Sequence, residues 1–161
     1  IQGDNRFKNI NTNGHKLIEL WARKEFKNLS KAHSINLPVP KPIAVKQNVL
    51  VMEFQGVDGA PFPTLSETEV SESDLVEILD LVTILYQKSH LIHSDLSEYN
   101  VFKNSNDLIL FDFGSAVDVS HPMSKNFLLR DLKNLHRFFS KRGIPVFDVE
   151  KKFLEITEND I

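Results

Sequence analysis

Three polar side chains stand where apolar stretches end, and their types suit phosphoryl chemistry. Asp95 and Asn100 belong to His93-Ser94-Asp95-Leu96-Ser97-Glu98-Tyr99-Asn100. Asp112 follows the apolar run Leu108-Ile109-Leu110-Phe111 and opens Asp112-Phe113-Gly114. Phosphoryl transfer asks a protein mainly to position reactants and neutralise charge. Mg²⁺ takes hard oxygen ligands and keeps several waters, so one or two side chains suffice to hold it. Asn100 and Asp112 meet that need, and Asp95 is the candidate base that accepts a hydrogen bond from an attacking hydroxyl or water. Singly, such residues more often occupy turns. The reading rests on the compound pattern: H-x-D-x-x-x-x-N, a short hairpin, an apolar strand, then Asp-Phe-Gly.

Composition narrows the setting. The chain has 161 residues, 41% apolar and 25% charged, as in a soluble globular protein with one sizeable core or two small lobes sharing a cleft. Its twelve phenylalanines, against one tryptophan and two tyrosines, point to cores built largely from apolar rings. The absence of cysteine excludes disulfides, thiolate zinc sites and cysteine nucleophiles. No apolar run approaches the roughly 20 residues needed to span a bilayer and no secretory signal opens the chain, so cytoplasm or nucleus is the expected compartment. A net charge of −3 gives no global attraction to nucleic acid and leaves a local basic face open. Arg23-Lys24 and Lys141-Arg142 could meet phosphate, although scattered charge is more often a solvated face.

The elements that must position the three residues follow from pattern. Residues 1–14 are polar and Asn/Gly-rich and read as a loop. A helix is expected from about His15 to Ala32, with Leu17, Trp21 and Leu29 in one stripe and Glu25 in the same stripe. A carboxylate there either reaches water at the stripe's edge or needs a cation. Leu37-Pro38-Val39-Pro40-Lys41-Pro42 cannot be helical. Strands of about 43–46 and 49–54 form a hairpin turning at Gln47-Asn48, and the unbroken Val49-Leu50-Val51-Met52 suggests burial on both faces. A connector runs to about Ser73. Asp74 is placed as the cap of a helix reaching about Ser89, with Leu75, Ile78, Leu79, Val82, Leu85 and Tyr86 on its apolar face. A further helix spans about Lys125 to Arg142 and stops at Gly143, and a last one begins near Asp148. Asp131 lies within the apolar face of the first of these two. A buried carboxylate at that position is expected to accept backbone N–H groups of the loop around Asp95 and stiffen it.

The octet and the Asp-Phe-Gly triplet match the signature set of protein kinases. More of the chain resembles one atypical branch, the RIO family, and its type 1 subgroup. The octet resembles that group's H-x-D-L-S-E-Y-N loop. His121-Pro122-Met123 followed by Phe127-Leu128-Leu129-Arg130-Asp131 resembles its H-P-M…(F/Y)-L-x-R-D segment. Ile1-Gln2-Gly3-Asp4-Asn5-Arg6-Phe7, Trp21 to Leu29 and Val49 to Phe54 match its pattern in order. The resemblance implies an α+β, two-lobed protein-kinase-like fold binding ATP and Mg²⁺. In it, residues 1–54 are a partial N-terminal lobe, 55–73 the hinge and connector, and 74–161 the C-terminal lobe. It assigns Asp95 as catalytic base, Asn100 and Asp112 as metal ligands, and Asp112 also as a transient phosphoryl acceptor. Glu25 becomes the partner of an ATP-binding lysine, Glu53 and Phe54 become hinge residues near adenine, and His93 becomes a prop for the loop. It further implies an ATP-driven factor of late small-ribosomal-subunit maturation, with the precursor particle as partner.

Two departures from ordinary protein kinases shape the expectation. Ser97 stands two residues after Asp95, where those enzymes carry a lysine. Between Gly114 and the next helix there is no A-P-E and too little chain for an activation loop. Both favour ATP hydrolysis or autophosphorylation over efficient phosphorylation of a peptide. No G-x-G-x-x-G segment and no strand lysine precede Glu25, so the natural protein is expected to be longer and to carry them upstream. Two alternatives stand beside this reading: a small-molecule phosphotransferase of the aminoglycoside-kinase kind, which shares the octet, and a non-catalytic pseudokinase scaffold.

Overall fold

The structure is a computed structural model and describes residues 14–105 and 107–158, with the backbone alone at His15. The expected loop over residues 1–13 lies outside them.

Helix α1 (Gly14–His33) follows the expected stripe. Leu29 and Ala32 are buried, and the helix packs on a hairpin of β1 (Pro42–Lys46) and β2 (Val49–Met52). The strands are antiparallel, with Val45 opposite Leu50, and Gln47 adopts φ 53° in the turn. The expectation that β2 is covered on both faces is not met. Side chains alternate across a strand, so α1 covers one face of the hairpin. Val49 (55% exposed) and Val51 (46%) stand on the other, open face.

The connector holds structure that its composition concealed. Strands β3 (Gly56–Val57) and β4 (Ala60–Pro61) form a two-stranded hairpin. Its turn residues, Asp58 and Gly59, have φ 52° and 80°, the pair of positive values a type I′ turn requires. A Cβ on Gly56 would lie 2.1 Å from the Ala60 carbonyl oxygen, so only glycine fits there. One 3₁₀ turn (Leu65–Glu67) follows.

Helix α2 (Glu72–Ser89) starts one turn earlier than expected. Its cap is Ser71, whose hydroxyl accepts from the Asp74 N–H while the Asp74 carboxylate accepts from the Ser71 N–H at 2.6 Å. Asp74 is therefore the third residue of a capping box rather than the cap. It is also bound by Lys103 at 2.8 Å, which ties α2 to strand β6 (Val101–Asn104). Strand β6 pairs antiparallel with β7 (Asp107–Leu110), and short strands β5 (Leu91–Ile92) and β8 (Val117–Asp118) pair likewise. Helix α3 (Ser124–Lys141) ends before Gly143 (φ 75°), and α4 (Val149–Thr157) is capped by Asp148. One core joins these elements: Ile78, Leu85, Leu96, Leu110, Leu132 and Phe139 are each at most 1% exposed. Each such side chain contributes roughly 1.5–3 kcal/mol by leaving water. The loops bearing Asp95 and Asp112 leave directly from this core, next to buried Leu96, Leu110 and Phe113.

Candidate active site

The loop 93–100 begins where β5 ends. His93 is buried, and its Nε2–H donates to the Phe111 carbonyl at 2.9 Å while its ring lies 5.0 Å from that of Phe113. Burial holds its pKa below the ordinary histidine value, so the ring is neutral and spans the two loops as a strut. Ser94 then takes φ 67°, turning the chain so that Asp95 reaches the surface.

The turn is held from α3. Asp131, 1% exposed, accepts the Ser94 N–H at Oδ2 (2.8 Å) and the Leu96 N–H at Oδ1 (3.0 Å), so one carboxylate grips the backbone on both sides of Asp95. This is the role its place in the helical stripe predicted. Burial pushes the Asp131 carboxyl up to about 7, against the pull of the two amides and the Arg130 guanidinium. The same helix satisfies the loop's carbonyls: Arg130 donates to Ser94 O, and Asn134 donates to Leu96 O at 3.1 Å. Sequence reasoning missed Arg130 and Asn134 as positioning residues. For Asn134 the available signal was its place three positions on from Asp131, on the same helix face, and Arg130 stands next to Asp131 in the Phe127 to Asp131 segment.

Asn100 closes the loop by donating from Nδ2 to the Asp95 carbonyl at 2.7 Å. With that nitrogen committed, its amide oxygen is the atom able to ligate a cation. The Phe111 N–H donates to the Asn100 carbonyl at 3.1 Å, which places Asp112 beside the octet. Asp112 has φ 62°, a left-handed conformation uncommon outside glycine, and Phe113 behind it is buried. From α1, Asn28 donates to the carbonyls of Phe113 (3.2 Å) and Ala116 (3.0 Å), and Lys24 donates to that of Gly114 (3.1 Å). Neither Lys24 nor Asn28 belongs to a chemical motif, and the sequence reading passed both over as positioning residues.

Glu25, Asp95 and Asp112 line one cleft of about 420 Å³, floored by Trp21, Ala22 and Leu50. Glu25 is half-buried in this cleft. Burial raises its pKa, and the neighbouring Asp112 charge raises it further. Asn100 joins this group through the Asp95 carbonyl. Glu53 and Phe54 stand apart from the residues lining the cleft. The Glu53 carboxylate accepts from the Lys41 N–H (3.4 Å) and from Gln55 Nε2 (3.3 Å), and Phe54 is 59% exposed beside Gly56.

A carboxylate and an amide oxygen, both hard donors, suit Mg²⁺, which is content with few protein ligands. Among the described residues no cluster of three or more His, Asp or Glu side chains offers an all-protein cage for a metal.

The RIO domain model matches residues 1–152. The serine/threonine-protein kinase RIO1 of Caenorhabditis elegans is 35% identical over 98% of this chain and 32% of its own length. The RIO-type kinase Rio1 of Thermoplasma acidophilum is 37% identical over 89% of this chain and 76% of its own length. Human RIO1 is 31% identical across the whole chain and 29% of its own length. The chain thus spans about a third of its eukaryotic relatives. Among solved structures, the Rio2 kinase of Chaetomium thermophilum superposes with a TM-score of 0.69 at 25% identity, covering 86% of this chain and 46% of that one. Its ADP/Mg²⁺-phosphoaspartate complex gives 0.66 at 24% identity, covering 86% and 45%. The described elements form part of a protein-kinase-like fold, and the chain belongs to the RIO family, in its type 1 branch.

Proposed function

We propose that this chain carries the base and metal side of a Mg²⁺- and ATP-dependent RIO-type phosphotransferase that works as an ATPase or autokinase in late small-subunit ribosome maturation. Cytoplasm or nucleus is the compartment this reading carries with it. The observation that supports it most is the meeting of Glu25, Asp95 and Asp112, from three distant segments, in one cleft whose loops α1 and α3 hold by side chain-to-backbone hydrogen bonds.

In this reading Asp95 accepts the proton-bearing hydrogen bond of the attacking hydroxyl or water. Asp112 either shares the cation with Asn100 or attacks the γ-phosphorus through a carboxylate oxygen. That attack breaks the bond to the bridging oxygen and releases ADP, and water then cleaves the acyl phosphate. Bound Mg²⁺ would supply charge neutralisation at the phosphate oxygens. The phosphoaspartate in the Chaetomium Rio2 complex favours the covalent route. Glu25 would meet a lysine from the phosphate-binding part of the fold, and Glu53 and Phe54 would lie against adenine.

The test is the full-length protein with Asp95→Ala: ATP turnover is abolished while nucleotide binding, followed by calorimetry, survives. Equal turnover in variant and parent would overturn the proposal. Failure of the parent to bind nucleotide with Mg²⁺ would establish a scaffold instead.

A further inference from the structure

Helix α3 grips the loop around Asp95 with one side and turns a basic side to solvent. Apart from Asp131, its charged residues are Lys125, Arg130, Lys133, Arg137 and Lys141. The last four are exposed and lie within about 80° of one another around the axis, over about 16 Å of its length. Asp131, the one carboxylate of the helix, is buried and taken up by the Ser94 and Leu96 amides. Arg130 is committed to the Ser94 carbonyl and lies over the Phe127 ring. Lys133, Arg137 and Lys141 keep their charges uncompensated. None of the three forms an ion pair among the described residues, and Arg137 donates to the neutral amide oxygen of Asn134 at 3.3 Å. Steps of four residues set Lys133 beside Arg137 and Arg137 beside Lys141, an arrangement that repels within the chain and that a row of anions relieves.

We propose that this face of α3 binds the phosphate backbone of double-stranded RNA. It carries no exposed ring on which a base could stack: Phe127 is half-buried beneath Arg130, and Phe138 and Phe139 are buried. A single strand draws its base contacts from such stacking. Between Asn126 and Lys141 there is also no exposed apolar anchor of the kind a protein partner or a bilayer surface engages. Exposed Asn126 and Ser140 instead interleave neutral hydrogen-bonding groups with the cations. That mixture suits a surface of phosphates and 2′-hydroxyls, which an A-form duplex displays along its shallow groove. At the end of the face nearest the octet, Asn126, Leu129, Arg130, Lys133 and Asn134 line a groove of about 440 Å³. Arg130 and Asn134 hold the Ser94 and Leu96 carbonyls, so a backbone seated there lies against the loop carrying Asp95. The proposal stands on α3 and does not depend on the phosphotransfer reading.

Fluorescence anisotropy of a labelled short RNA duplex against the full-length protein tests it. Lys133→Gln and Lys141→Gln each lower the slope of log affinity against log salt by about 0.9, one phosphate contact apiece, and Lys133→Glu combined with Arg137→Glu weakens binding about tenfold or more. Lys133→Arg retains binding. Lys27→Glu, a charge reversal at an exposed position of α1, leaves affinity and slope as in the parent. An equal loss with Lys27→Glu, or unchanged slopes in both glutamine variants, would overturn the proposal. So would displacement by oligoglutamate as effective as by unlabelled duplex, or binding of a single RNA strand or of duplex DNA as tight as that of duplex RNA. Nucleotide affinity at the Asp112 cleft, titrated in the same variants, separates failure here from failure of the phosphotransfer reading: the α3 variants leave it unchanged.

Discussion

Glu25 of α1 and Asp112 of the loop after β7 converge over Gly114. A side-chain carbon at that glycine would lie 3.5 Å from Asp112 Oδ1 and 3.6 Å from Glu25 Oε2. Two carboxylates in one partly buried place each make the other's charge more costly, and burial and then Asp112 raise the pKa of Glu25. In the metal- and nucleotide-free protein, Asp112→Asn therefore lowers the Glu25 titration midpoint while leaving it above the ordinary 4.5, since burial, the larger cause, remains. Carbon-detected NMR titration of the glutamate carboxyls measures it. The linkage has a definite sign. The stability associated with protonated Glu25 is fully present below 4.5 and is lost as pH rises through the raised folded value. Glu25→Gln accordingly stabilises the apo protein at neutral pH and removes that part of the pH dependence. A midpoint that does not move in Asp112→Asn would show that the two charges are not coupled.

Asp131 makes a parallel case, with larger consequences for the catalytic loop. Its folded pKa of about 7 lies above the ordinary 3.8, so the folded state binds the extra proton between those values. The stability this supplies is complete below 3.8 and is lost as pH rises through about 7. His93 works in the opposite sense, since a buried neutral imidazole costs stability as pH falls below its ordinary 6.5. Asp131→Asn removes the Asp131 part of the slope and faces one of the two loop amides with an NH₂ group, leaving a buried donor unpaired. Loss of about 1–3 kcal/mol is expected, read as a lower urea midpoint at pH 5, together with a fall in turnover because the backbone around Asp95 loosens. Unchanged stability and turnover in Asp131→Asn would refute the clamp.

What the sequence made legible, and what it hid, follows the range of the forces involved. Helices α1 to α4 were readable because a 3.6-residue apolar repeat is written locally, and the candidate residues because their spacing is a local motif. The contact between Asp131 and the loop around Asp95 was also inferable, because a carboxylate in an apolar stripe must find donors. Lys24 and Asn28 were not, since each satisfies a backbone group from a distant segment, and Arg130 and Asn134 were marked only by standing near Asp131 on the same helix. The open face of β2 was misread because an unbroken apolar run cannot say what covers it. The β3–β4 hairpin had a signal, Asp58-Gly59, that its two-residue strands were too short to support. At α2 the Ser71…Asp74 box was visible, but the acidic residue was taken for the cap.

Asn28 tests how firmly α1 holds the Asp112 turn. Its amide nitrogen serves two carbonyls, of Phe113 and Ala116, and the side chain is buried. Asn28→Ala strips both acceptors of their partner and costs about 1–3 kcal/mol. Hydrogen exchange should then show protection falling locally at residues 113–117 and not in α3. Protection lost evenly across the chain would mean that Asn28 supports the fold in general rather than this turn.

Asp112 holds a left-handed backbone (φ 62°) that a residue with a Cβ adopts at a cost. Removing the carboxylate in two ways separates backbone from charge. Asp112→Gly and Asp112→Ala both abolish phosphoryl transfer, and both relieve Glu25 of its charged neighbour. Glycine tolerates positive φ freely, whereas alanine pays about 1 kcal/mol and lacks the local hydrogen bonding open to aspartate. The glycine variant should therefore unfold at a higher urea concentration than the alanine variant, by about 1 kcal/mol in unfolding free energy and with equal slopes. Only the alanine variant should fall clearly below a parent relieved of the same charge by Asp112→Asn, since asparagine tolerates this conformation. An alanine variant at least as stable as the glycine variant would mean that the turn abandons the left-handed conformation once the carboxylate is gone, and that Asp112 shapes the turn rather than being held by it.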